Sequence, residues 1–196
     1  MAETPKIEWN KTAVLIMDYQ NDIIGMQPEE KQKLLLDNAS RILSESRKNG
    51  VPVIFIVVRF REGYPEVCQR NKMFTSVKGS NRLIQGTPGA EIHTDVSPLP
   101  DEIVVTKRRV GAFSTTELDA VLRVKNVTTL ILLGISTSGV VLSTMRWAAD
   151  MDYALFVISD ACSDQDAEVH RVLVEKIFPR QANVITTQDF IDAVNS

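Results

Sequence analysis

The sequence predicts a three-layer α/β domain built on a six-stranded, mainly parallel sheet, and three observations lead there. Short apolar runs such as residues 130–133 lack the alternation of a half-exposed strand, as expected of strands buried on both faces. Segments of helical period separate them. Parallel neighbours require crossovers, and right-handed crossovers place helices on both faces of the sheet. At 196 residues, one well-buried core and a single domain over residues 1–196 are expected.

The first strand is Thr12–Met17, and polar residues begin abruptly at its carboxyl end with Asp18, Gln20, Asn21 and Asp22. Pro28, Glu29 and Glu30 open a helix with acidic residues in its first turn. Leu34, Leu35, Ala39, Ile42 and Leu43 keep helical spacing, and Gly50 with Pro52 ends it. Val53–Val58 is the second strand. Residues 59–100 are polar, dotted with glycine and proline, and weakly periodic, which predicts a long loop that serves or covers a site. Residues 103–106 form the third strand, ending at Lys107. Ser114 and Glu117 have the spacing of a capping box for a helix carrying Leu118, Val121 and Leu122. Residues 130–133 form the fourth strand, which Gly134 is expected to break into a tight turn before a helix through Trp147 and Ala148. Residues 154–158 make a fifth strand, and Val169, Val172, Leu173 and Ile177 mark a helix closed by Pro179. Residues 183–186 give the sixth strand, followed by a short helix through Phe190 and Val194.

A net charge of -3 provides no electrostatic footprint for nucleic acid or an anionic membrane, so small molecules or other protein chains are the expected partners. No apolar run approaches the ~20 residues of a membrane span, and residues 1–6 lack the build of a secretory signal. A cytoplasmic location is expected, with Cys68 and Cys162 as free thiols.

Ligands of such sheets bind beyond the carboxyl ends of the strands, and Asp18, Lys107 and the turn at Gly134 all fall there. A carboxylate and an ammonium meeting over a helix start can move protons and hold an oxyanion; a structural ion pair at the sheet edge is the competing explanation. Lys107 would keep Asp18 ionised, as suits a base, whereas an acid role needs a pKa raised by burial or substrate.

The chain resembles the isochorismatase-like hydrolase superfamily. Val14–Asp18 with Gln20, Asn21 and Asp22, then Thr106 and Lys107 with Ala112 and Phe113, then Gly134–Thr137 with Arg146, Ala148, Asp150, Asp160 and Ala161, carry the likeness over nearly the whole chain. It implies a sheet of order 3-2-1-4-5-6, homo-oligomers (dimer or tetramer) and hydrolysis of amides or vinyl ethers in small molecules. It further implies Asp18 as general acid/base, Lys107 as its cation, a cis peptide between Ile135 and Ser136, and the Ser136 and Val140 amides as oxyanion donors. Gln20, Arg59, Phe113 and Thr137, in or beside these motifs and strand ends, are the candidate substrate contacts; Arg61 and Arg109 are further candidates to clamp a carboxylate.

Two departures from the family pattern bear on the chemistry. The cysteine nucleophile of the amidase members falls six residues after the glycine, where this chain has Val140, and an isopropyl group can neither attack a carbonyl nor hold a thioester. Ser138 and Ser143 lack a neighbouring base and fit a helix cap and a surface hydroxyl. The nicotinamidase members' Asp and two His for a divalent metal are also missing, since His93 and His170 stand far apart, and neither metal nor cofactor is expected. Two expectations follow: a metal-independent hydrolase of a small, carboxylate-bearing molecule or, alternatively, a catalytically silent member that binds a small molecule or protein.

Overall fold

The computed structural model describes residues 7–196; residues 1–6, read above for a secretory signal, lie outside the described residues. Six strands, β1 (Thr12–Met17), β2 (Val53–Val58), β3 (Ile103–Lys107), β4 (Thr129–Ile135), β5 (Ala154–Ser163) and β6 (Asn183–Ile185), form one sheet in the order β3-β2-β1-β4-β5-β6. Every pairing is parallel. This is the three-layer α/β arrangement expected from the apolar runs. All residues of β1, β2 and β4 are buried, which requires cover on both faces and accounts for their unbroken hydrophobicity.

The helices are α1 (Asn21–Ile24), α2 (Glu29–Lys48), α3 (Lys72–Gly79), α4 (Leu118–Val124), α5 (Leu142–Asp150), α6 (Ala167–Val172) and α7 (Thr187–Val194). Helix α2 has Glu29 and Glu30 in its first turn and Arg47 and Lys48 in its last, both favourable to its dipole. It buries Leu35, Leu36, Ala39, Ile42 and Leu43, whereas Leu34, which fits the same spacing, is exposed. Among the described residues no helix is long and apolar enough to cross a membrane.

Four local expectations are corrected. Gly134 does not break β4: it pairs with Met17 and Cys162 inside the sheet, and the strand runs on to Ile135. A Cβ at Gly134 would lie 2.9 Å from both the Cβ and the carbonyl oxygen of Met17, so the glycine lets β1 and β4 approach closely rather than turn. The Ile135–Ser136 peptide is cis, and a π-helical turn, Thr137–Val141, leads into α5. Strand β5 extends to Ser163 and includes Cys162, beyond the apolar run that marked it.

The capping box at α4 does not form: Glu117 is the N-cap without a side-chain bond, and Thr116 Oγ1 instead accepts the Leu118 N–H at 3.3 Å. Residues 59–100 are not one loop. They contain α3, capped by Asn71, which accepts the Phe74 N–H, and Phe60, Tyr64, Phe74 and Leu83, which form a satellite apolar cluster with Val58 of β2.

Candidate functional site

The chain leaves β1 for β2 on one side and returns to β4 on the other, so the carboxyl ends of β1 and β4 flank the crevice where such sheets bind ligands. Asp18 follows β1 directly, with a φ of 61°. That left-handed conformation is sparsely populated outside glycine, and here the Asp18 N–H donating to the Ile56 carbonyl at 2.8 Å helps fix it. Lys107 closes β3 in register with Val58 of β2. Side chains from strands two places apart thus meet over the end of β2.

Asp18 Oδ2 lies 2.8 Å from Lys107 Nζ, with side-chain exposures of 6% and 2%. Nζ also donates to the Arg109 carbonyl at 3.3 Å. Asp18 Oδ1 is buried and has no hydrogen-bond partner among the described residues. Burial pushes the Asp18 carboxyl above its ordinary pKa, and the Lys107 charge and hydrogen bond oppose that without overcoming it. The pair therefore differs from an exposed salt bridge, in which the cation sets the direction.

Both side chains line a cavity of about 320 Å³. Ser136 and Val140 line its closed end, while Met26, Met73 and the half-buried Arg82 border its mouth. Val140 is buried, and its Cγ1 would stand 3.3 Å from a Cβ at Gly134, so an isopropyl group packs against Gly134 in the wall of the cavity that Asp18 also lines. The Ser136 carbonyl accepts the Gly139 and Val141 N–H groups. The Ser138 N–H goes to Asp164 Oδ2 at 2.8 Å; Ser138 lies inside the π-helical turn, whose N-cap is Ser136 without a side-chain bond, so Ser138 is not the helix cap expected.

The other sequence-derived contacts lie away from this cavity. Gln20 is fully buried: its Nε2 donates to the Val58 and Ala90 carbonyls, and its Oε1 accepts the Val58 N–H. Those bonds tie β1 to β2 and to the segment beyond and leave it none for substrate. Arg59 pairs with Glu91 at 2.6 Å, and Arg61 with Glu66 at 2.8 Å. Arg109 donates to the Glu66 and Arg108 carbonyls. Phe113 stacks on Trp147 with ring centroids 6.4 Å apart. Thr137 is buried, with its Oγ1 2.8 Å from His170 Nδ1.

Neither cysteine lines the cavity: Cys68 is exposed, and Cys162 is buried with its thiol pushed up to about 12 by burial. Among the described residues no group of three or more His, Cys, Asp or Glu is arranged to hold a metal ion.

Two residues at the cavity, Asp164 and Arg82, escape a reading of the sequence, and His170, behind it, is read there only as an unmatched metal ligand. Asp164 follows the true end of β5, and the strand-end rule finds it once β5 is extended to Ser163. His170 is held to the turn through Thr137. Arg82 sits in the weakly periodic segment, with no pattern to mark it.

Residues 12–189 match the isochorismatase domain family. The chain is 31% identical, over 99% of its length and 100% of the relative's, to YwoC of Bacillus subtilis, named an uncharacterized isochorismatase family protein. An Arabidopsis thaliana protein named a probable inactive nicotinamidase is 32% identical over 83% of this chain and 85% of its own. Among solved structures, a cysteine hydrolase from Pseudomonas syringae pv. phaseolicola superposes with a TM-score of 0.89 over 100% of this chain and 99% of its own, a likeness of fold at 23% identity.

Proposed function

This chain belongs to the isochorismatase family, and from that premise we propose that it hydrolyses a small, carboxylate-bearing molecule without a cysteine nucleophile, with Asp18 as general acid/base. One observation carries the reading: at the closed end of the cavity Asp18 holds Lys107 with one oxygen and leaves the other buried and unpartnered, while Val140 supplies no nucleophile. An unmatched acceptor in so dry a place costs free energy unless something else meets it. A carboxyl that burial biases toward its protonated form suits acid catalysis on a vinyl ether. Its proton goes to the alkene carbon, and Lys107 stabilises the carboxylate left behind. Water adds to the resulting oxocarbenium carbon and passes a proton back to Asp18, and the hemiketal collapses to a ketone and an alcohol. The Ser136 and Val140 amides are donors that would serve an oxyanion, not a positive oxocarbenium, so they take no part in this step.

Asp18→Ala should lower turnover by about 10²–10⁴-fold. Thiol alkylation should leave the rate unchanged, because neither cysteine takes part. The rate should fall as pH rises through the raised Asp18 pKa, since the protonated carboxyl is the working form. Activity that dies on alkylation would sink the proposal and point to Cys68.

Val140 also favours a second reading, a silent member that binds without turnover. A screen of amides, ureas, carbamates and enol ethers, with ligand-induced melting shifts measured in parallel, separates the two: stabilisation without turnover of any compound selects the binder.

A further inference from the structure

Two cations line the cavity, and only Lys107 is matched by an acid. Arg82, at the mouth, forms no ion pair among the described residues: its Nε donates to Ser80 Oγ at 3.1 Å, and its Nη1 lies against the Met26 thioether. A half-buried guanidinium that borders a pocket and is paired with no carboxylate is an open seat for an anion.

The backbone holds Arg82 in place. Asn81 and Leu83 on either side of it have φ of 55° and 61°, a region that a residue as bulky as leucine seldom enters. Leu83 is kept there by its N–H to Asp22 Oδ2 at 2.9 Å, by its carbonyl accepting the Phe60 N–H at 2.8 Å, and by its buried side chain in the satellite cluster. Tyr64 donates its hydroxyl to the Arg82 carbonyl at 2.6 Å. Such over-determined, sparsely populated backbone gathers at ligand clamps.

From Arg82 inward the walls are apolar, with Ile23, Val58, Phe74, Val77 and Val110 among them. Two further carboxylates border the space, Asp22 and Asp164, and each already accepts a backbone N–H. They disfavour a second anionic group on the ligand. Resting on the reading of this cavity as the substrate site, we infer that Arg82 reads the single carboxylate of a monocarboxylate with an apolar body, whose reacting group lies toward Asp18.

The test is calorimetric binding of short alkyl and aryl monocarboxylates, each paired with its primary amide and with the dicarboxylate of equal length. It is run on the wild type, Arg82→Met and Arg82→Lys. Asp18 stays intact in every arm, because without it Lys107 would itself attract carboxylates. The best-bound acid should exceed its amide and its dicarboxylate by about tenfold or more; Arg82→Met should erase that preference and Arg82→Lys keep part of it. A wild type that prefers no acid in the panel, or a preference that survives Arg82→Met, overturns the assignment. Turnover assayed alongside keeps the two ideas apart. Hydrolysis without acid preference removes Arg82 and leaves the hydrolase reading standing, whereas an Arg82-dependent preference without hydrolysis does the reverse.

Discussion

The closed end of the cavity and its mouth are built by opposite means. At the closed end, Asp18 follows the fully buried β1 and Lys107 closes the partly buried edge strand β3, and the ladder through β2 that sets the register also sets their meeting. At the mouth, Arg82 stands on a segment with no ladder of its own. It is held by single contacts: Asp22 on Leu83, Tyr64 on the Arg82 carbonyl, and Gln20 on Ala90. A sheet places chemistry by repetition, whereas a loop needs one dedicated partner for each residue it fixes. Changes at the closed end should therefore disturb charge and chemistry, and changes at the mouth should release the segment.

Lys107→Met is the largest break expected. It strands a buried carboxyl and should cost about 3–5 kcal/mol near neutral pH in urea unfolding. Lys107 is what opposes burial, so its removal lets the Asp18 pKa climb further. A raised carboxyl adds stability that is full below the ordinary value of 3.8 and is lost as pH rises through the folded value, so the deficit should widen upward from there. If catalysis uses the protonated form, the high-pH limb of activity should move up as well. A deficit that does not change with pH would mean that Asp18 carries the same charge with and without Lys107.

Gln20→Leu is a smaller break, aimed at the join between the two regions. The substitution takes Gln20 from the Val58 N–H and carbonyl and from the Ala90 carbonyl, which keeps its bond from Arg59 Nε, at about 2–3 kcal/mol in all. Hydrogen exchange should quicken across residues 59–100 and around Val58 while β1 and β4 stay protected. Equal loss of protection in β4 would show that the mouth is no separate unit.

This contrast explains what could be read from the sequence. The central strands and the layered arrangement were legible because burial on both faces leaves unbroken apolar runs, the partly buried edge strands β3 and β6 still carry short apolar runs, and Asp18 and Lys107 were legible because polarity switches where such runs stop. Gly134 was placed correctly and explained wrongly, since a close approach between strands and a turn both call for glycine. The polar end of β5 is paired to β4 by the ladder, which leaves no hydrophobic trace. Arg59 stands at a strand end, as Lys107 does, but its charge is consumed by Glu91, which lies 32 residues away in sequence. Arg82 gave no signal, because what holds it is tertiary. Strand-end polarity thus finds candidates, and only the partners decide which of them face a ligand.

The smallest effect expected concerns His170, whose Nδ1 sits 2.8 Å from Thr137 Oγ1 at the back of the turn that carries Val140. Burial holds its imidazole below the ordinary 6.5, Lys31 adds to that, and Asp164 opposes it. The unfolded chain takes up the proton near 6.5 while the folded chain resists, so stability should decline as pH falls through that value and level off below the folded pKa. With the ring only half-buried, solvent screening keeps the loss below about 1 kcal/mol. His170→Gln, which keeps a hydrogen-bonding group toward Thr137 but cannot titrate, should flatten the slope of melting temperature against pH in this range. A slope that survives the substitution would assign the titration to another group. A slope that disappears, together with faster exchange at residues 137–141 of the wild type below 6.5, would mean that one part of the closed end also relies on a dedicated partner.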